Sequence, residues 1–242
     1  MDPAGLAGAR VAPLPQAPKL QLASATLRPP AGGEWIHEIK FDGYRMAATI
    51  DDGVVRLTTR NQLPYTERFP AIVEALARLP VRTAVLDGEV VALGPDGRSD
   101  FGALQRWLGV EGGDAARDRH SRIVYQSFDL LYLEGHDLRR VVLEERKAAL
   151  AELLSAAGDA GPLRFSEHLE LDGEDVFDVA CSLRLEGIVS KLRGAPYRSG
   201  RQREQVSYQL IIVTQVKPHE VRAAEDGAEC DRVVMARQEL SG

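Results

Sequence analysis

Two lysines, two glutamates, an arginine and a phenylalanine carry the chemistry that this chain can offer. Lys40 closes the strand-like run Trp35 to Ile39, just ahead of the turn signal Asp42-Gly43 and of Arg45. A lysine amine is a nucleophile only when part of it is neutral, which takes desolvation or neighbouring positive charge. The end of an apolar strand beside an arginine provides both. The Asp42-Gly43 turn brings backbone amides within reach of an anion. Glu89 follows a second Asp-Gly pair, and Glu186 precedes the apolar run Gly187-Ile188-Val189-Ser190, which ends on Lys191. Magnesium takes hard oxygen donors, often one or two carboxylates, with phosphates and water completing its shell. Phe128, inside a β-prone run, can offer a ring on which a base stacks. Each residue also has an ordinary role open to it: an edge-strand lysine that discourages aggregation, a turn glutamate, a solvated glutamate at a helix end, a core phenylalanine. Their combination and order favour chemistry.

The elements that must hold these residues are read from periodicity and punctuation. Residues 1–33, rich in Ala and Pro, read as an extended arm lying over the domain rather than as part of its core, with the first dozen residues disordered. From Trp35 to Ile50 the spacing predicts a strand, the Asp42-Gly43 turn and a second strand. Asp52-Gly53 then leads into Val54 to Thr59, giving an antiparallel meander. Pro70 opens a helix carrying Ile72, Val73, Leu76 and Leu79, stopped by Pro80. Ala84 to Leu86 and Val90 to Leu93 read as strands on either side of Asp87-Gly88-Glu89, and Ser99 as the cap of a helix burying Phe101, Leu104, Trp107 and Leu108. Residues 109–121 read as a mobile surface loop. Arg122 to Leu133 is β-prone but interrupted at Phe128-Asp129. Helices are expected from Leu143 to Ala157, ended by Gly158, and from Asp172 to Leu183, followed by strands at Gly187 to Lys191 and Tyr208 to Val216. Residues 220–242 are charged and weakly periodic, and no packed structure is expected of them.

Composition narrows the function classes. A chain of 242 residues with 44% hydrophobic content can bury a sizeable core. A net charge of -6 and a pI near 5.5 argue against a surface that is basic throughout, though not against a local basic groove on an acidic body. Cys181 and Cys230 cannot form a disulfide framework, and no apolar run suits a signal peptide or a membrane span, so a cytoplasmic location is expected. The five histidines, His37, His120, His136, His168 and His219, lack metal-ligand spacing. No repeat period emerges.

Set in order, these residues form a recognisable series. Lys40-Phe41-Asp42-Gly43-Tyr44-Arg45 resembles the Lys-x-Asp-Gly-x-Arg signature of the covalent nucleotidyltransferases: ATP-dependent DNA ligases, RNA ligases and mRNA capping enzymes. Leu57-Thr58-Thr59-Arg60-Asn61, with Thr66 and Phe69-Pro70, looks like the next ligase motif. Asp87-Gly88-Glu89, Ser127-Phe128-Asp129-Leu130-Leu131 and Leu185-Glu186-Gly187-Ile188-Val189-Ser190-Lys191 resemble the three that follow. Pro29-Pro30, Trp35 and Glu38-Ile39-Lys40 are similar to the entry into the ligase domain of bacterial end-joining ligases of the ligase D kind. The likeness runs from about residue 18 to residue 201.

That resemblance implies an α+β fold, a nucleotidyltransferase-type domain with antiparallel β-sheets flanked by helices around a nucleotide pocket. It implies an arm at 1–33, an adenylation domain at 34–217, and a poorly ordered tail at 218–242. Lys40 would attack the α-phosphate of ATP, forming a lysyl-AMP phosphoramidate and releasing pyrophosphate. Glu38 and the backbone of Ile39 would meet the adenine edge, and Phe128 would stack on the ring. Arg45, Arg60 and Glu89 would hold the ribose and orient the substrate phosphate, Glu186 would bind magnesium or manganese, and Lys191 would lie near the phosphates. AMP would pass to a DNA 5′-phosphate and a 3′-hydroxyl would displace it, sealing the nick. Arg193, Arg198, Arg201 and Arg203 would grip DNA phosphates. The implied partners are nicked or broken double-stranded DNA and a Ku-like end-binding protein, with the protein nucleoid-associated when on DNA.

The chain departs from the pattern after residue 201. Where the family carries a Trp-x-Lys-x-Lys-like motif, this sequence reads Gln205-Val206-Ser207-Tyr208-Gln209-Leu210, and Lys217 is the only later lysine. The residues after 217 are too few for the oligonucleotide-binding barrel that follows in the family. Three explanations stay open: a cut or altered fragment, reliance on a partner, or lost activity. Two other readings stand beside the ligase: a non-catalytic nucleotide- or DNA-end-binding module, and a capping-type GTP nucleotidyltransferase.

Overall fold

The computed structural model describes residues 2–26, 28–109, 122–158, 161–183 and 185–209. In chain order these form β1 (Arg10–Val11), β2 (Gln21–Ala25), β3 (Trp35–Ile39), β4 (Tyr44–Asp51), β5 (Val54–Thr59), α1 (Pro70–Ala77), β6 (Thr83–Leu93), α2 (Phe101–Trp107), β7 (Arg122–Leu133), β8 (His136–Asp137), α3 (Leu143–Ser155), β9 (Leu163–Phe165), β10 (His168–Leu169), α4 (Gly173–Ser182), β11 (Gly187–Leu192) and β12 (Gly200–Gln209). One sheet runs β1-β8-β7-β6-β4-β5, with β9 added on β7. The other runs β10-β3-β11-β12-β2. Neighbours are antiparallel except β9 on β7 and β2 on β12, so the expected α+β architecture of antiparallel sheets with flanking helices is what forms.

Side-chain alternation along the first sheet divides the labour between its faces. Met46, Ala48, Ile50, Leu57, Ala84, Leu86, Tyr125 and Leu130 point one way and make the main core, with Ile72 and Leu76 of α1, Ala103 and Leu104 of α2, and Leu150, Leu153 and Leu154 of α3 packed into it. Pro70 begins α1, where a missing N–H costs nothing, and Ile72 and Leu76 lie one turn apart on its buried face. The other face carries Ala47, Val85, Leu131 and Tyr132, covered by Leu20 of the N-terminal stretch and by Tyr197. Helix α4 lays Val176, Phe177 and Ala180 on Ile188 of the second sheet.

Several expectations change. The stretch Trp35 to Ile50 is not a hairpin: β3 belongs to one sheet and β4 to the other, so Lys40 to Gly43 is the crossing between them. Ala84 to Leu93 is not split at Asp87-Gly88-Glu89, because the ladder with β7 continues through it and absorbs register shifts next to Leu86 and Gly88. Phe128-Asp129 likewise does not break β7. Ser99 does not cap α2. Asp100 does, accepting from the Ala103 N–H at 2.9 Å, while the Ser99 hydroxyl accepts from the Asp42 amide at 3.4 Å. The N-terminal stretch is extended, yet it is built into both sheets, β1 on β8 and β2 on β12, and its first dozen residues include that β1 pairing. Strand β12 starts at Gly200, ahead of the β-prone run, because parallel pairing of Gly200 to Gln202 with Gln21 to Ala23 of β2 outweighs the weak intrinsic preference of Gly-Arg-Gln-Arg, and β11 joins only from Gln205 onward. Lys217, His120, His219, Cys230, residues 110–121 of the loop expected at 109–121 and everything from residue 210 lie outside the described residues. Among the described residues no helix is long and apolar enough to cross a membrane.

Candidate active site

Sheet register decides where Lys40 sits. Ile39 of β3 pairs with Ile188 of β11, and the Lys40 amide donates to the Gly187 carbonyl at 2.9 Å. The residue before Gly187 is Glu186, whose Oε1 accepts directly from Lys40 Nζ. Two residues 146 positions apart are thereby joined by one strand pairing. Burial pulls the Lys40 ammonium below its ordinary pKa, with Glu89 and Asp42 holding it up in part. A lysine moved in that direction has more of the neutral amine that nucleophilic attack requires.

Past the crossing, the chain enters β4 and the first sheet supplies the facing wall. Arg45 pairs in register with Glu89, and Ala47 with Asp87, on the face turned away from the main core. Arg45 grips Asp87 with two hydrogen bonds, Nε to Oδ1 at 3.0 Å and Nη2 to Oδ2 at 2.7 Å. Burial opposes the Arg45 charge, but Asp87 outweighs it and the pKa rises. Tyr197 donates to Asp87 Oδ2 at 2.6 Å and accepts from the Gln21 amide at 2.7 Å, tying the N-terminal stretch to this wall. Glu89 accepts from the Gly43 amide at 3.0 Å. Burial raises its carboxyl to about 7, against the pull of Arg45, Lys40 and that amide. A side chain at Gly43 would collide with the Val90 carbonyl and stand 2.7 Å from Val91 Cγ1, so only glycine allows this close passage of the crossing over β6.

Phe128 is half-buried, with Lys191 Nζ 4.5 Å and the Arg45 guanidinium carbon 5.1 Å from the centre of its ring. Lys191 is itself buried and donates to Glu38 Oε2 at 2.9 Å. Glu38 Oε1 accepts from Lys147 Nζ at 2.9 Å, and Ser166 Oγ donates to Oε2 at 3.2 Å. Burial would raise the Glu38 carboxyl, but Lys191 and Lys147 together bring it below the usual range. Beside this cluster Arg146 forks onto Asp129 at 2.7 and 2.9 Å, both residues being buried.

The structure therefore brings together Glu38, Ile39, Lys40, Arg45, Glu89, Phe128, Glu186 and Lys191 from both sheets. Arg60 stands apart, exposed just beyond β5. Arg193 is committed to Glu144 at 3.1 Å and Glu170 at 3.0 Å. Arg198, Arg201 and Arg203 are exposed. An open groove of about 710 Å³ is lined by Asp137, Arg139, Arg140 and residues 196–199, Tyr197 among them, and Lys40 is not part of its lining. Where the lysine motif was expected, Gln205 is buried opposite Lys191.

Two participants escape a motif search, Arg146 and Lys147. Helix periodicity does carry the signal: they stand three and four residues after Leu143 and four and three before Leu150, on the buried stripe of α3. Cations on an apolar stripe announce buried acidic partners.

Among the described residues no three His, Cys, Asp or Glu side chains converge as a metal cage. Glu186 Oε2 is buried without a hydrogen-bond partner. One unsatisfied hard oxygen beside Lys40 fits a divalent cation that takes its remaining donors from phosphates and water.

The family model described as the ATP dependent DNA ligase domain matches residues 17–207. The multifunctional non-homologous end joining protein LigD of Pseudomonas aeruginosa is 44% identical over 212 residues, covering 85% of this chain and 24% of that protein. The chain thus spans about a quarter of that relative's length. Among solved structures, a mycobacterial DNA ligase D complexed with ATP and MES aligns with a TM-score of 0.65 and 30% identity, over 79% of this chain and 60% of that one. The ligase domain of LigD from M. tuberculosis aligns with a TM-score of 0.65 and 30% identity, over 80% of this chain and 60% of that one.

Proposed function

The chain belongs to the family of ATP-dependent DNA ligase domains, and on that premise we propose that it is an adenylation domain whose nucleophile is Lys40. The observation that carries this reading is the crossing itself: Lys40, lowered in pKa, in contact with Glu186 on one sheet and close to Glu89 on the other. In the first step Lys40 Nζ bonds to the α-phosphorus of ATP, the bond from that phosphorus to the bridging oxygen breaks, and pyrophosphate leaves with the electron pair. The product is lysyl-AMP, and the lysine surrenders its proton as the P–N bond forms. Arg45, held in place by Asp87, and Lys191, on turning from Glu38, would supply positive charge to the phosphoryl oxygens, and such charge is the main source of rate in phosphoryl transfer. Phe128 offers its face to the base and Glu38 its carboxylate to the base edge. Arg60 requires a substrate that reaches past β5.

A bound magnesium or manganese ion on Glu186 would supply charge neutralisation at the α-phosphate. In the following steps AMP passes to a DNA 5′-phosphate and a 3′-hydroxyl displaces it. Arg198, Arg201 and Arg203 are exposed and would meet the DNA backbone, and Arg193 would join them on leaving Glu144 and Glu170. The unit proposed for this chemistry spans residues 34–217, preceded by the stretch 1–33. It works in the cytoplasm on nicked or broken duplex DNA, to which a Ku-like protein would recruit it.

The test is incubation with α-labelled ATP and magnesium, followed by mapping of acid-labile label. Label on Lys40, lost in Lys40→Ala, is the expected result. Label that persists in Lys40→Ala overturns the assignment of the nucleophile. ATP binding without any covalent product favours a non-catalytic nucleotide-binding module, and a preference for GTP favours a capping-type enzyme.

A further inference from the structure

Glu38 has two lysine partners, and they differ in what else they touch. Lys191 donates to Oε2 at 2.9 Å and stands 4.5 Å from the centre of the Phe128 ring, the surface offered to the base. Lys147 donates to Oε1 at 2.9 Å and to the Ser166 carbonyl at 2.9 Å, and lies 4.6 Å from the centre of Phe165. Its side chain is 2% exposed, anchored in α3 behind the carboxylate. Lys191 is thus a neighbour of the base site, while Lys147 meets that site only through Glu38.

A base stacked on Phe128 and phosphates beside β11 both compete for Lys191. Once Lys191 turns to them, Glu38 is left with Lys147 and the weaker Ser166 hydroxyl bond. A buried carboxylate deprived of cations takes up a proton and becomes a donor on one oxygen. An ionised carboxylate only accepts. It accepts from the 6-amino group of adenine and is repelled by the 6-oxo group of guanine.

We infer that Lys147 is a positioning residue for base selection, the permanent counter-ion that keeps Glu38 an ionised, fixed acceptor and so makes the site choose ATP over GTP. The inference rests on the reading of Glu38 and Phe128 as the base site given above. Lys147 stays on Oε1, and Oε2, which Lys191 vacates, keeps only the Ser166 hydroxyl, so the carboxylate can serve lysine and base together.

The test measures dissociation constants for ATP and for GTP by calorimetry on the full chain, with thermal melts to confirm folding. The variants are Lys147→Met, Lys147→Arg, Glu38→Gln and the double E38Q/K147M. Wild type prefers ATP. Lys147→Met lowers the ATP-to-GTP preference by about ten- to a hundredfold, the range for a hydrogen bond to a charged group, and Lys147→Arg restores most of it. Glu38→Gln lowers the preference likewise, and in the double variant the second substitution lowers it no further. A wild type that binds the two nucleotides equally, or a folded Lys147→Met that keeps the wild-type preference, overturns the inference. If Lys147→Met does not fold, E38Q/K147M, in which the pair is neutral, is compared with Glu38→Gln alone: equal preferences support the inference and a further loss overturns it. Lysyl-AMP is scored on the same wild-type sample. ATP binding without label overturns the ligase reading and leaves the preference ratio readable.

Discussion

Neutralising Glu89 gives a direct measure of what its burial costs. In the folded protein its carboxyl is raised from 4.5 to about 7, chiefly by burial and despite Arg45, Lys40 and the Gly43 amide. The sign follows from linkage: a carboxyl that binds its proton more tightly when folded stabilises the fold below its unfolded pKa, and that stability is lost as pH rises through the folded value. A shift of about 2.5 pH units at about 1.36 kcal/mol each sets a ceiling of about 3.4 kcal/mol. Because the side chain is half-buried, about 2–3 kcal/mol is the realistic span. Glu89→Gln removes the titration and keeps an oxygen to accept from Gly43. The stability of Glu89→Gln relative to wild type should therefore rise by about 2–3 kcal/mol between pH 4.5 and pH 8, a change of about 4–12 °C in relative melting temperature for a chain of this size. Urea melts of both proteins across that range, without nucleotide, read the difference directly, since other titrating groups cancel. A difference that stays flat from pH 4.5 to pH 8 refutes the reasoning and places Glu89 in an environment as wet as an ordinary surface carboxylate.

Two further outcomes follow from the same geometry. Gly43→Ala forces a methyl group against the Val90 carbonyl and Val91. It should cost about 3 kcal/mol or more, read as a lowered melting temperature together with loss of ATP binding, because the Lys40 crossing must move. Arg146→Met leaves the buried Asp129 without its arginine, only the Leu130 amide still donating to it at 2.9 Å, which should cost about 3–5 kcal/mol. The double variant with Asp129→Asn should recover part of that loss in urea melts.

The sequence made the order of the site residues legible because each lies in a short local pattern that survives as a string: a turn dipeptide beside Lys40, another beside Glu89, an apolar run ending on Lys191. Helix spans were legible too, since Ile72, Leu76, Leu150 and Leu154 keep a helical period on buried faces. The pairing was not. Nothing local says that the strand before Asp42-Gly43 and the strand after it join different sheets, because that choice is made by β11, whose first residue is Gly187. The same non-local pairing hid the ion pair of Lys40 with Glu186 and the strand status of Gln21 to Ala25, whose partner begins at Gly200. Lys147 was missed because charge on a helix reads as solvated unless its phase against the leucines is checked.

The smaller sheet also imposes an order in time. Its strands β2 and β3 are made near the start of the chain, but their partners are β12 and β11, so Gln21 waits for Gly200 and Ile39 for Ile188. In the larger sheet β4, β5 and β6 close on near neighbours as soon as they exist. On a ribosome adding about 5–20 residues per second, the wait for the last strands lasts on the order of ten seconds or more. Throughout it, Lys40 lacks the segment that carries Glu186 and leads into β11. Lys40 therefore gains its partner Glu186 and its burial only when the last strands of the smaller sheet arrive, so this corner of the molecule is completed last.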